Sequence, residues 1–171
     1  MIERVFTTQE SKIKDLLTGE FDFGLKDPWA LISIYHNYKE PVISGTENFI
    51  TLRDKGCLKY LEVCFGDYTE DEYNRLVKKY KKASKKINIM NIDHAVSIVS
   101  FLNDLREFDN IKTLIVQCKA GISRSGAVGL YACRFYGLDE NEYLKSGHIK
   151  PNYYVYNTLA KIYNPTIDLS S

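Results

Sequence analysis

Apolar and polar positions change rhythm several times along this chain, and each rhythm predicts an element. "ALISIY" (Ala30–Tyr35) and "TLIVQ" (Thr113–Gln117) are short apolar runs rich in β-branched residues, which predicts strands buried on both faces. "YLEVCF" (Tyr60–Phe65) predicts a third strand, ended by Gly66-Asp67, and "RVFT" (Arg4–Thr7) a short edge strand. Between these runs the apolar spacing shifts to three and four residues. Ile13, Leu16 and Leu17 share a helical face in "QESKIKDLL". Tyr73, Leu76, Val77, Tyr80 and Ala83 predict a helix from Glu70 to Lys82. Ala95, Ile98, Val99 and Leu102 predict another from His94 to Phe108, with Asp93 as its N-cap. A further helix follows over Ser123–Tyr136, and short ones over Glu140–Leu144 and Tyr153–Tyr163 end the pattern. "EPVISGTENF" (Glu40–Phe49) is punctuated by proline and glycine and begins as a loop.

Strands alternating with helices predict an α/β fold with a central, largely parallel sheet flanked by helices. No repeat and no Pro/Gly/Ser-rich linker interrupts the pattern, so a single domain over 1–171 is expected. Sheets of this kind bind ligands beyond the carboxyl ends of their strands. Cys118 lies there, directly after "TLIVQ".

Composition narrows the classes. At 44% hydrophobic the chain can build a sizeable core. The net charge of +1 gives no global attraction to nucleic acid or a membrane surface. No apolar run approaches the ~20 residues of a membrane span, and the first residues do not resemble a signal peptide. The cysteines at 57, 64, 118 and 133 contain no CxxC pair, so free thiols and a cytoplasmic location are expected. His36, His94 and His148 share no ligand spacing with them, so neither a metal nor another cofactor is expected.

The segment "CKAGISRSG" (Cys118–Gly126) brings chemistry into this frame. It runs from a buried strand into a helix N-terminus, where successive N–H groups lack helical partners. Gly121 stands midway, where a tight loop needs a positive φ or a close backbone approach. Such a nest binds an oxyanion of phosphate size, and Arg124 adds a planar fork for two phosphate oxygens. The same field favours the thiolate form of Cys118, which is the nucleophile. Gly121-x4-Gly126 is not a nucleotide loop, because Ala127 and Val128 stand where lysine and Ser/Thr belong.

These residues resemble the protein tyrosine phosphatase superfamily, whose signature is His-Cys-x5-Arg-(Ser/Thr). They look most like its short dual-specificity branch and the small prokaryotic and viral relatives; "KPNYYV" (Lys150–Val155) also looks similar. The resemblance implies a phosphatase that forms a cysteinyl-phosphate intermediate and acts on phosphorylated proteins or peptides. Phosphotyrosine comes first, and phosphoserine or phosphothreonine widens the range. It implies Cys118 as nucleophile and phosphate binding by the backbone amides of Lys119, Ala120, Gly121, Ile122, Ser123 and Arg124. It further implies transition-state stabilisation by Arg124, and Ser125 helping the thiolate to leave. An aspartic general acid is implied on a separate loop. Asp67 fits best, with Asp93, Glu70 and Asp71 as alternatives.

Two features depart from the pattern. Gln117 replaces the histidine before the nucleophile, and Asp67 precedes Cys118 by 51 residues, with a Lys-rich stretch over Val77–Lys86 as the insertion. That stretch follows Glu70, Asp71 and Glu72 and reads as a solvated helix face. Tyr35 and Tyr38 are candidates for a pocket wall, although core packing is the commoner fate of such residues. A phosphate-binding module without turnover remains the second class. The same chemistry on RNA 5′-phosphates or phosphoinositides is a third.

Overall fold

The computed structural model describes residues 1–36, 43, 45–79, 88–145 and 149–163. Four strands form one sheet: β1 (Arg4–Gln9), β2 (Trp29–Tyr35), β3 (Cys57–Cys64) and β4 (Thr113–Cys118), in the order β1-β4-β2-β3. All three neighbouring pairs are parallel. Parallel neighbours need crossovers, and the helices supply them: α1 (Glu10–Thr18), α2 (Thr46–Asp54), α3 (Glu70–Lys79), α4 (Ile92–Asp104), α5 (Arg124–Tyr136), α6 (Glu140–Lys145) and α7 (Tyr153–Ile162). The fold is therefore α/β, a parallel sheet flanked by helices. "RVFT" lies in the edge strand β1, as its short apolar pattern predicts.

The central strands β2 and β4 are buried along their length, which is why they read as near-continuous apolar runs. Side chains alternate between two core layers. Ile13 and Leu16 of α1 and Leu52 of α2 pack with Trp29, Leu31 and Ile115 on one face. On the other face Ile98 and Leu102 of α4, Val128 and Tyr131 of α5, and Leu159 of α7 pack with Ile32, Leu114 and Val116. Truncating a buried leucine such as Leu102 to alanine should cost about 2–5 kcal/mol.

Several boundaries differ from the sequence pattern; α4, for one, ends at Asp104 rather than Phe108. The segment expected to begin as a loop enters α2 at Thr46; the helix buries only Leu52, so it has almost no apolar stripe to read. β3 begins at Cys57, not Tyr60, because pairing with Trp29 and Ala30 extends it beyond its apolar stretch. The N-cap of α4 is Asn91, not Asp93. Asn91 Oδ1 accepts the His94 N–H at 3.0 Å, and His94 Nδ1 accepts the Asn91 N–H at 3.2 Å. This reciprocal pair satisfies two orphan donors at once, and Asp93 falls in the first turn. The predicted helix from Glu70 is described as far as Lys79; Tyr80, Ala83 and the later lysines lie outside the described residues. No helix among the described residues is long and apolar enough to cross a membrane.

Candidate active site

The carboxyl ends of β2, β3 and β4 converge on one cleft of about 310 Å³. Cys118, Lys119, Ala120, Ser123 and Arg124 line it from β4 and the following loop; Asp67 and Tyr68 line it from beyond β3, and His36 from beyond β2.

The loop from Lys119 to Ser123 is folded by Gly121, whose φ is 72°. A Cβ there would lie 2.8 Å from the carbonyl carbon of Thr8 and 3.0 Å from the Gln9 nitrogen. Both reasons for a glycine thus apply: left-handed backbone, and close approach to the end of β1. The loop's carbonyls are held from outside. Lys119 O accepts from the Glu10 N–H at 3.4 Å, Ile122 O from the Lys150 N–H at 3.3 Å and Ser123 O from the Asn152 N–H at 3.2 Å. In a trans peptide the next N–H points the opposite way. The N–H groups of Ala120, Ser123 and Arg124 are therefore turned away from these partners. They add to the positive end of the 13-residue helix α5.

Cys118 is 2% exposed, with its Sγ 3.0 Å from the Oγ of fully buried Ser125. Arg124 is 4% exposed. Its Nη1 donates to the Phe65 carbonyl at 2.8 Å, while its Nε has no partner among the described residues. A buried guanidinium with an unused donor beside a cleft is a strong anion attractor, because leaving it unpaired is costly.

All four cysteines are free thiols. Burial pushes the thiols of Cys57 and Cys133 up to about 12, so neither is a nucleophile near neutral pH.

Of the candidate acids, Asp67 lines the cleft; Asp93, Glu70 and Asp71 sit in the exposed first turns of α4 and α3 and do not. Asp67 Oδ1 accepts from Ser123 Oγ at 2.7 Å and from Asn152 Nδ2 at 3.0 Å. Ser123 is the N-cap residue of α5 yet makes no side-chain cap bond, because its hydroxyl goes to Asp67 instead.

Gln117 is fully buried, and its Oε1 accepts from Ser33 Oγ at 2.7 Å across the paired strands β2 and β4. Its Nε2 has no partner among the described residues, so the amide does not donate to the loop as its chemistry would allow. Tyr35 does not line the cleft. Burial pushes its phenol up, with Cys64 and Glu62 adding to the shift. Tyr38 and His148 lie outside the described residues.

The wall is made instead by His36 and Tyr68, whose ring centroids are 6.1 Å apart at 52°. Sequence reasoning missed these two and Asn152. For the first two the usable signal was position, since each comes just after a strand end; for Asn152 it was "KPNYYV".

No protein-family model matches the chain, and no curated protein does. Among solved structures, the crystal structure of Tk-PTP in the active form is similar over 93% of this chain and 90% of its own, with 15% identity and a TM-score of 0.49. The crystal structure of PTPMT1 in complex with PI(5)P is similar over 92% of this chain and 88% of its own, with 14% identity and a TM-score of 0.48.

Proposed function

We propose that this chain is a single cysteine-dependent phosphatase domain that hydrolyses phosphate monoesters, phosphotyrosine first and phosphoserine or phosphothreonine as the wider range. The observation that carries the proposal is the buried Arg124 guanidinium, its Nε without a partner among the described residues, lining one cleft with Cys118.

In the first step the Cys118 thiolate attacks phosphorus. The bond from phosphorus to the ester oxygen breaks, and Asp67 gives that oxygen its proton. Loop N–H groups and Arg124 meet the charge on the equatorial oxygens, so no metal is called on. In the second step Asp67 takes a proton from water, the water oxygen attacks phosphorus, and the sulfur leaves as thiolate. Ser125 Oγ, 3.0 Å from that sulfur, donates to it as it leaves. Free thiols and the absence of any CxxC pair suit a reducing, cytoplasmic setting.

The test is hydrolysis of p-nitrophenyl phosphate by the purified protein with EDTA present. Turnover is expected, inhibited by vanadate and lost in Cys118→Ser, while that variant still binds a phosphotyrosine peptide. Binding without hydrolysis by the native protein would mean a phosphate-binding module. Turnover restored only by Mg²⁺ or Mn²⁺, or retained by Cys118→Ser, would overturn the covalent mechanism.

A further inference from the structure

Asn152 is 9% exposed and caps α7. Its Oδ1 accepts the N–H groups of Tyr154 at 3.1 Å and Val155 at 3.4 Å. Its Nδ2 donates to Asp67 Oδ1 at 3.0 Å and to the Tyr68 carbonyl at 3.4 Å. With two donors facing one end of the amide and two acceptors facing the other, only one orientation satisfies both. The cap needs only the oxygen; serine or aspartate would serve α7 equally well. The amide nitrogen is therefore surplus to the helix, and it is spent on the loop that carries Asp67.

The Ser123 hydroxyl reaches the same oxygen, Oδ1, at 2.7 Å. An oxygen that accepts from two donors is the poorer site for a proton, so the proton of a neutral Asp67 belongs on Oδ2. We propose that Asn152 is a positioning residue for the general acid. Together with Ser123 it holds Oδ1 of Asp67, so that Oδ2 carries the proton and delivers it to the leaving oxygen. Asn152 touches no reacting atom and acts through Asp67; the inference rests on the phosphatase reading and on Asp67 as its acid.

Two substitutions separate this role from simple capping. Asn152→Ser keeps a capping oxygen and removes the donor to Asp67. Asn152→Asp keeps the cap and sets a second carboxylate against Asp67. Thermal unfolding of Asn152→Ser should stay close to wild type, whereas Asn152→Asp should lose stability through the repulsion between the two carboxylates. For a phosphotyrosine peptide, kcat of Asn152→Ser should fall about tenfold, the scale of one lost hydrogen bond to a charged group. The loss should be smaller for p-nitrophenyl phosphate, whose leaving group needs less protonation.

The basic limb of the kcat/KM profile should move to higher pH in Asn152→Ser, because the carboxylate has lost a donor. It should move further in Asn152→Asp, because a like charge favours the protonated form. Adding Asn152→Ser to Asp67→Asn should cost nothing more. A basic limb unmoved in both variants, or the same tenfold loss in the Asp67→Asn background, would overturn the positioning role while leaving the phosphatase reading intact. A native protein with no Cys118-dependent turnover would remove that reading and this role together.

Discussion

Arg124 donates through Nη1 to the carbonyl oxygen of Phe65 at 2.8 Å, and that carbonyl stands two residues before Asp67. One side chain thus joins the loop after β4 to the strand exit that carries the proposed acid. The bond also fixes the guanidinium plane, while Nε, itself buried, has no partner among the described residues. A lysine keeps the charge but cannot bond Phe65 and present a fork together. Arg124→Lys should therefore lower kcat by about 10²–10³-fold, the scale of a lost oxyanion donor. Steady-state kinetics on p-nitrophenyl phosphate checks this; a near-normal kcat would mean that the arginine is structural only.

Ser125 should be felt in the second step alone. Its hydroxyl faces the sulfur that would leave the proposed phosphocysteine, and it is wholly buried, so water cannot take its place. Ser125→Ala should keep a fast first turnover and slow the next by roughly tenfold, the cost of one hydrogen bond to a charged sulfur. Rapid-quench or stopped-flow measurement should show a burst of p-nitrophenol equal to the enzyme present. The absence of a burst, with both steps slowed alike, would place Ser125 in loop structure instead.

What could be read in advance divides along physical lines. The buried strands β2 and β4 and the loop after β4 are contiguous in sequence, so their apolar runs, glycine and charged residues announce them. Helix α2 is nearly silent because Leu52 is its only buried residue. Asp93 looked like a cap because aspartate often is one. The choice of Asn91 depends on His94 reaching back, a reciprocal contact with a weaker sequence signature than Ser/Thr with Glu. The cleft wall is harder still. His36 and Tyr68 come from two separate segments that only the parallel register of the strands brings to the mouth of Cys118, and Asn152, which does not line the cleft, reaches it only through Asp67.

His94 should make stability depend on pH. Burial holds its imidazole below the usual value, against a smaller upward pull from Asp93. The unfolded chain then takes the proton first. Stability is present above the unfolded value of about 6.5 and is lost as pH falls through it, levelling off below the folded value. The cap agrees with this sign, because protonated Nδ1 cannot accept the Asn91 N–H. His94→Gln keeps an acceptor at that position and does not titrate. Urea midpoints at pH 7.5 and 5.5 should differ less in the variant than in the native protein. Glu62, whose carboxyl burial pushes up, contributes with the opposite sign in both proteins and cancels in the comparison. An equal difference in both would remove His94 as the source.

The assignment of the acid is tested by two aspartates in different surroundings. Asp67 lines the cleft with Cys118 and holds two hydrogen bonds on one oxygen, while Asp93 lies exposed in the first turn of α4, outside the cleft. If Asp67 protonates the leaving group, Asp67→Asn should lower kcat on a phosphotyrosine peptide by roughly 10²–10⁴-fold. The loss should shrink on p-nitrophenyl phosphate, because its phenolate leaves with less help. The basic limb of the kcat/KM profile should flatten, since that limb reports the acid losing its proton. Asparagine still accepts at Oδ1 from Ser123 and Asn152, so the loop should keep its position and thermal unfolding should barely change. Asp93→Asn should leave both kcat and the limb intact, because it removes neither the cap at Asn91 nor a group facing the cleft. Loss of turnover in Asp93→Asn with Asp67→Asn active would move the acid to the start of α4, and Asp67 would then be only the link between Ser123 and Asn152.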